Sequence, residues 1–420
     1  MSTSDGLEIG ANPADIARNK MLGAGVVDDP YPQYDELRES GPVHEHALTE
    51  AFGLAGPEGS IWGDRKQFAC YDWETVDQVL RDAELFSSEW YERSIGVVVG
   101  RSMIQMGGIE HRRYRGLVQP AFTRREMETW QQRWVAPMVE EIVDGLVRRG
   151  GAVDLYAELC SKVPVFTIAS SFGAEPEDVP RFHELAVTFT GATGSPVDRL
   201  KAAEEIATYL KGVIEQRRRE PRDDLIGLLC EVEVEDPDDG TRHRLDDEEI
   251  LAFARLMLPA GAGTTYRALG LLLLALLEND AFERVRDDRS LLDPAIEETL
   301  RWEQPLSSVG RLATRDTELA GVEIPAGSVM QASLGAANHD PARWREPHRW
   351  DLDRPVQPHA TFGSGPHLCV GMHLARMELR TAMNGIFDRL PGLRLDPDAR
   401  APWVTGLTFR MPTAVPVLFE

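Results

Sequence analysis

The sequence predicts a mainly helical chain with small β-sheets, folded as a single unit, and three observations carry this. Residues 125–149, 199–219 and 372–389 alternate apolar and charged positions at helical spacing. Strand-like pieces are short and few, among them 65–71, 318–324 and 328–333. No repeat, low-complexity linker or long charge run marks a boundary, although 420 residues would allow two or three domains by length alone. Residues 26–420 are therefore read as one domain, preceded by a flexible N-terminal segment, 1–25.

That segment has no basic stretch followed by an apolar one, so neither a signal peptide nor a membrane anchor is expected. The 69 acidic and 45 basic residues give a net charge of −24, which argues against nucleic-acid binding and against docking on an anionic membrane. Cys70, Cys160, Cys230 and Cys369 lie far apart in no disulfide or zinc pattern, so a cytoplasmic protein with reduced thiols is expected. Between helices, Pro and Gly punctuate 303–366, which reads as a long irregular stretch. The most apolar run, Ala268 to Leu277, is too short to span a bilayer and reads as buried helix.

One helix stands apart. Asp246 followed by Glu249 forms an N-cap with its reciprocal partner, and the helical pattern persists to about Asn279, a length of ~45 Å. Its middle is Pro259-Ala260-Gly261-Ala262-Gly263-Thr264-Thr265. A proline that removes an N–H and two glycines weaken the ladder there. Two readings stand: a kink that fits its neighbours, or small residues that let a ligand lie against the backbone.

The most specific pattern is Phe362-Gly363-Ser364-Gly365-Pro366-His367-Leu368-Cys369-Val370-Gly371, followed by an amphipathic helix. Its glycines and proline set Cys369 at a helix N-terminus, where free N–H groups and the dipole favour a thiolate. Such a thiolate suits an axial ligand of iron, and Gly371 leaves room for a flat macrocycle. A cysteine nucleophile with His367 as base lacks a third, orienting group, and zinc with His359, His367 and His373 lacks a familiar spacing. The other three cysteines read as small buried hydrophobes.

Here the chain resembles the cytochrome P450 family, whose signature Phe-Gly-x-Gly-x-His/Arg-x-Cys-x-Gly is matched completely and continues into Leu374-Ala375-Arg376 and Glu378. The resemblance runs from about residue 75 to 420. It implies the triangular helical fold of that family, enclosing haem b (iron protoporphyrin IX) ligated by Cys369. It also implies a structural trio of Glu298 and Arg301, at i and i+3 of one helix, with Arg354. His111, Arg115, Arg311 and His367 are the implied propionate contacts. Phe362, Gly363, Gly371, Ala260 and Gly261 line the cofactor. Asn338-His339-Asp340-Pro341 with Trp344, Pro347 and Trp350 resembles the family's meander.

One departure matters. The family's central helix carries Ala/Gly-Gly-x-Asp/Glu-Thr, whose threonine supports dioxygen while the acid takes part in proton delivery. Alignment puts the threonine on Thr264 and the acid on Gly263. Either ordered water or another side chain stands in for the acid, giving an ordinary monooxygenase, or the protein uses peroxide or another oxidation.

The resemblance places the substrate pocket near Trp90 and Val98, Leu256, Ala260 and Thr264, Leu306 to Val309, and Leu407 to Phe409. These are mostly apolar, so a lipophilic small molecule is expected beside O2. Arg93 and Arg101 are expected to face water. With no flavin or iron–sulfur segment in the chain, electrons are expected from a ferredoxin and its reductase, so NAD(P)H serves only indirectly. Arg112, Arg113, Arg124, Arg125 and Arg376 form the expected landing area. Three functions compete: an oxygen-dependent monooxygenase, a peroxide-driven or otherwise atypical oxidase, and a haem sensor or carrier.

Overall fold

Helical periodicity in the sequence becomes helix in the structure, with widened turns where proline removes a donor. In the computed structural model, which describes residues 27–54, 65–175, 177–189, 196–235 and 240–419, the stretch 125–149 divides into Arg124–Trp130, a π turn Gln131–Val135 and Ala136–Arg149. Pro137, which cannot donate to the preceding turn, opens the last of these. The segment expected to be flexible, 1–25, lies outside the described residues.

Six helices position the site: α1 (Gly108–Val118), α2 (Val163–Ser171), α3 (Asp247–Met257), α4 (Gly263–Glu278), α5 (Leu292–Trp302) and α6 (Met372–Arg389). The N-terminus of α3 carries the anticipated capping box. Glu249 N–H donates to the Asp246 carboxylate, and Asp246 N–H donates to the Glu249 carboxylate, both at 2.8 Å. Between α3 and α4 the chain makes a π turn, Leu258–Ala262, around Pro259. Among the described residues, Asp247–Glu278 is the one stretch long and apolar enough to cross a membrane, longer than Ala268–Leu277 alone suggested. Its apolarity is accounted for by packing, since 72% of its most apolar window is buried.

The principal core is built around α4. Leu269, Leu272, Leu273 and Leu276 pack with Met377, Met383, Ile386 and Phe387 of α6 and Leu300 of α5. Each such leucine contributes roughly 1.5–3 kcal/mol relative to exposure. Gly270 permits the close approach of Tyr156, whose ring carbons would lie 2.5 and 2.7 Å from an added Cβ.

Strands β1 (Val43–His44), β2 (Gln67–Cys70), β3 (Phe86–Ser87), β4 (Ser308–Ala313) and β5 (Val329–Ser333) form a sheet in the order β1-β2-β5-β4-β3. Only β2 and β5 run parallel, with Val329 opposite Gln67. Strand β4 falls inside the stretch read as irregular, because its alternation is broken by Gly310. The added Cβ there would meet the Trp90 indole at 2.3 Å, so the ring lies flat on the strand. A second core covers this sheet, and a third gathers Tyr31, Tyr34, Leu48, Tyr71 and Leu407. Leu407 is thus a packing residue, not the pocket residue expected: it is fully buried among these N-terminal aromatics.

Candidate functional site

Cys369 is placed by a loop whose shape needs glycine. Gly363 and Gly365 have φ of 71° and 70°, a region L side chains rarely adopt. At Gly365 a Cβ would also lie 2.6 Å from the Leu80 carbonyl. Cys369 N–H donates to the Phe362 carbonyl at 2.9 Å and closes the loop. Cys369 is half-buried as a residue, whereas Cys70, Cys160 and Cys230 are buried. Burial pushes the Cys369 thiol above its ordinary range; the Gly371 N–H and the Arg115 and Arg376 guanidiniums act against it. A thiol in such company becomes a thiolate once a metal coordinates it.

Around the cysteine two glycines leave open space. An added Cβ on Gly371 would meet nothing within 4 Å, and on Gly363 only the His367 carbonyl at 3.9 Å. The Phe362 ring, at the start of the loop, has the Arg376 guanidinium 4.5 Å from its centroid. Arg376 in turn grips Glu297 through two hydrogen bonds of 2.6 and 2.7 Å. His359 also reaches Glu297, at 3.3 Å.

Four basic side chains converge beside the loop. The rings of His111 and His367 lie 4.1 Å apart. Arg115 donates to the Pro366 carbonyl at 3.0 Å, and buried Arg311 donates to the Gly310 carbonyl at 2.8 Å. Burial, then His111, Arg311 and Arg115, lower the His367 pKa to about 3. Burial and Arg115 lower that of His111 to about 4. No carboxylate figures among the influences on either histidine, and His111 Nε2 and Arg311 Nε are buried without a hydrogen-bond partner. Buried donors in this state call for an anionic guest.

The break between α3 and α4 carries further expected site residues. Ala260 is exposed within an otherwise buried stretch, and Thr264 is half-buried. Thr264 Oγ1 donates to the Ala260 carbonyl at 2.7 Å, so its lone pairs, rather than its proton, are free for a guest. At Gly261 an added Cβ would lie 3.2 Å from Ile168 Cδ1 of α2, so the missing side chain serves helix packing there. Gly263 is buried, and its carbonyl accepts from Arg267 at 2.5 Å.

Behind the loop, Arg301 meets both Glu298 oxygens at 2.8 Å, and Arg354 adds a third bond at 3.0 Å. Arg301 also donates to the Asn338 and Pro347 carbonyls. Asn338 in turn accepts from Ala360 N–H at 2.7 Å and donates to Thr361, which fixes the start of the cysteine loop.

A family model described as cytochrome P450 matches residues 193–391. Cytochrome P450 monooxygenase PikC of Streptomyces venezuelae is 32% identical over 388 residues, or 89% of this chain and 87% of PikC. Vitamin D(3) 25-hydroxylase of Pseudonocardia autotrophica is 33% identical over 373 residues, 87% of this chain and 88% of that enzyme. The chain belongs to the cytochrome P450 family. Among solved structures, CYP109E1 of Bacillus megaterium in complex with testosterone matches 93% of this P450 and 99% of that chain, at 28% identity and a TM-score of 0.78.

Membership of the family implies haem, and the residues of this P450 fit it. Half-buried Cys369 would hold the iron through its sulfur, the glycines beside it leave room for the group, and the four basic side chains would pair with its two propionates. Of the expected pocket residues, half-buried Trp90 packs on Gly310, whereas Val309, its neighbour on β4, is half-buried against the second core on the other face of the strand. Leu256 is 5% exposed and enclosed in the principal core. The Val98 side chain lies outside the described residues. Arg101 faces outward to Glu110 and Glu92, as expected.

Two features escaped the sequence reading. Arg267, at the edge of an apolar run, is buried over the Tyr266 and Phe409 rings, each 4.8 Å away. Its charge amid apolar neighbours was the only signal. Glu378, noted as part of the signature, is a buried acid.

Proposed function

We propose that this P450 is an oxygen-dependent haem-thiolate monooxygenase that hydroxylates a lipophilic small molecule in the cytoplasm. Its electrons come from a separate ferredoxin and NAD(P)H-dependent reductase. The observation that carries the haem-thiolate reading is the convergence of His111, Arg115, Arg311 and His367 beside Cys369, with buried donors unpaired. The lipophilic guest is supported by half-buried Trp90, and by relatives that act on vitamin D(3) or hold testosterone.

Bound haem supplies the iron chemistry that consumes dioxygen, two electrons and two protons, leaving one oxygen atom in the guest and one in water. The chain's own residues do the rest. The Gly371 N–H and the Arg115 and Arg376 charges hold negative charge on Cys369 Sγ. Arg115 and Arg311 anchor the acidic edge. Thr264 offers its lone pairs to a proton-bearing oxygen on the cavity side. The Glu298–Arg301–Arg354 trio keeps the loop rigid without touching the guest.

Gly263 supports a second reading, in which peroxide is the oxidant. The discriminating experiment follows product from a guest that perturbs the haem spectrum under two supplies. One is ferredoxin, reductase, NADH and oxygen; the other is hydrogen peroxide alone. Efficient product in the first arm is the expected result, and product confined to the second overturns oxygen dependence. The thiolate spectrum should vanish in Cys369→Ala, and its persistence there would remove the haem-thiolate reading.

A further inference from the structure

The two ends of the cysteine loop meet on one carboxylate. Glu297, on α5, accepts two hydrogen bonds from Arg376 of α6, at 2.6 and 2.7 Å. From the other side it faces His359, at 3.3 Å. His359 Nδ1 accepts the Thr361 N–H at 3.3 Å, so the ring proton sits on Nε2 and is donated to Glu297. His359 caps the turn Ala360–Phe362 that begins the loop, whereas Arg376 lies just beyond its end. Glu297 takes no part in the neighbouring trio, where Arg301 and Arg354 both bind Glu298.

This arrangement fixes where a charge sits. The Arg376 and Glu297 side chains are 25% and 18% exposed, so an arginine released by Glu297 has water within reach of its guanidinium. Held by Glu297, the guanidinium lies instead 4.5 Å from the Phe362 ring centroid, and the Phe362 carbonyl accepts the Cys369 N–H. The Arg376 charge is among those that oppose the upward push of burial on the Cys369 thiol, and the Glu297 charge does not figure there. Burial raises the Glu297 pKa, but the bonds from Arg376 and His359 outweigh it and bring the value down to about 2, so the pair is ionised at neutral pH.

We propose that Glu297 is a positioning residue that holds the Arg376 guanidinium against the cysteine loop, where that charge raises the reduction potential of thiolate-bound haem iron. The inference deepens, and rests on, the haem-thiolate reading above. Taking up an electron adds negative charge to the iron and its sulfur ligand, which a nearby cation favours. The Glu297 charge by itself acts in the opposite sense. The sign of the change on removing Glu297 therefore separates a positioning role from a direct one.

Redox titration of the haem-loaded protein reads the ferric–ferrous midpoint at equilibrium, so it is blind to any loss of donor docking. Arg376→Gln should lower the midpoint. Glu297→Ala should lower it too, although it removes a negative charge, and should lower it no further in the Arg376→Gln background. The spectrum of the ferrous carbon monoxide complex checks that each variant keeps its thiolate. Should Glu297→Ala fail to fold, Glu297→Gln keeps the side-chain volume while giving up the ion pair, and carries the same comparison. A raised midpoint in the Glu297 variant would mean that the carboxylate acts by its own charge, and an equal fall with and without Arg376 that it acts by loop packing. Either overturns the proposal, as does an unmoved midpoint in Arg376→Gln. A wild-type carbon monoxide complex without the thiolate signature overturns the haem-thiolate reading itself, before any variant is compared.

Discussion

Ionisable side chains inside this fold divide into those given a counter-charge and those kept neutral, and the two kinds respond differently to pH. Glu303 and Arg410 are 3% and 1% exposed and meet through two hydrogen bonds of 2.7 and 3.1 Å. The guanidinium also ties the Val27 and Asp28 carbonyls to the C-terminal segment. Cys70 is kept neutral instead, its thiol pushed up to about 12 by burial. Glu378 belongs with Cys70. Its pKa rises from an ordinary 4.5 to about 8 because burial disfavours the carboxylate. A folded-state pKa above the unfolded one means that this group's stabilisation is complete below the unfolded value and is lost as pH rises through about 8. Wild-type protein should therefore lose thermal stability relative to Glu378→Gln between mildly acidic and alkaline pH. Melting curves of the two proteins across that range check this, and parallel curves would mean that Glu378 is already ionised in the fold.

Helices and turns explain which parts of the site could be read from sequence and which could not. The cysteine loop was legible because its glycines meet a conformational demand that few residues satisfy. Glu298 and Arg301 were legible because i and i+3 share a helix face, and Arg354 followed from the family pattern. Facing was not legible where it depended on the π turn. A widened turn shifts the face presented by following residues, so the regular period could not tell that Ala260 is exposed while Gly261 faces Ile168. Leu407 failed for another reason: its partners, Tyr31 and Tyr34, lie at the far end of the chain. The Glu303–Arg410 pair is separated by 107 residues and leaves no local pattern. Gly270 is the element-level counterpart, a glycine dictated by a neighbouring ring. In Gly270→Ala the new Cβ would sit 2.5 Å from the Tyr156 ring and 2.9 Å from Pro412. A helix interior ordinarily gains from alanine, yet here overpacking should dominate, costing about 1–3 kcal/mol. Denaturant unfolding gives the sign: a stabilised Gly270→Ala would show that Tyr156 moves aside freely.

The molecule as a whole carries a net charge of −24, so an acidic electron donor approaches against a repulsive field unless it meets a local positive surface. Arg112 on α1 and Arg124 and Arg125 just beyond it are exposed. The Arg124 charge, with that of Arg376, holds down the pKa of half-buried His373 after burial does, which places it near the first turn of α6 and so on the thiolate side. Arg376 contributes less than the sequence suggested, because its guanidinium is held by Glu297. At physiological ionic strength the Debye length is about 8 Å, so distant acidic residues are largely screened from a docked donor while arginines at the contact are not. Charge reversal in Arg112→Glu with Arg124→Glu should then slow first-electron transfer from an acidic ferredoxin roughly tenfold at low salt, the order expected when steering is lost. In wild-type protein that rate should fall as salt rises; in the double variant it should stay flat or rise. Stopped-flow reduction across a salt series reads both quantities, with the haem spectrum on guest binding as a control for an intact site. An unchanged rate and salt slope would move the docking surface away from α1, leaving an acidic donor with no identified place to land on this face.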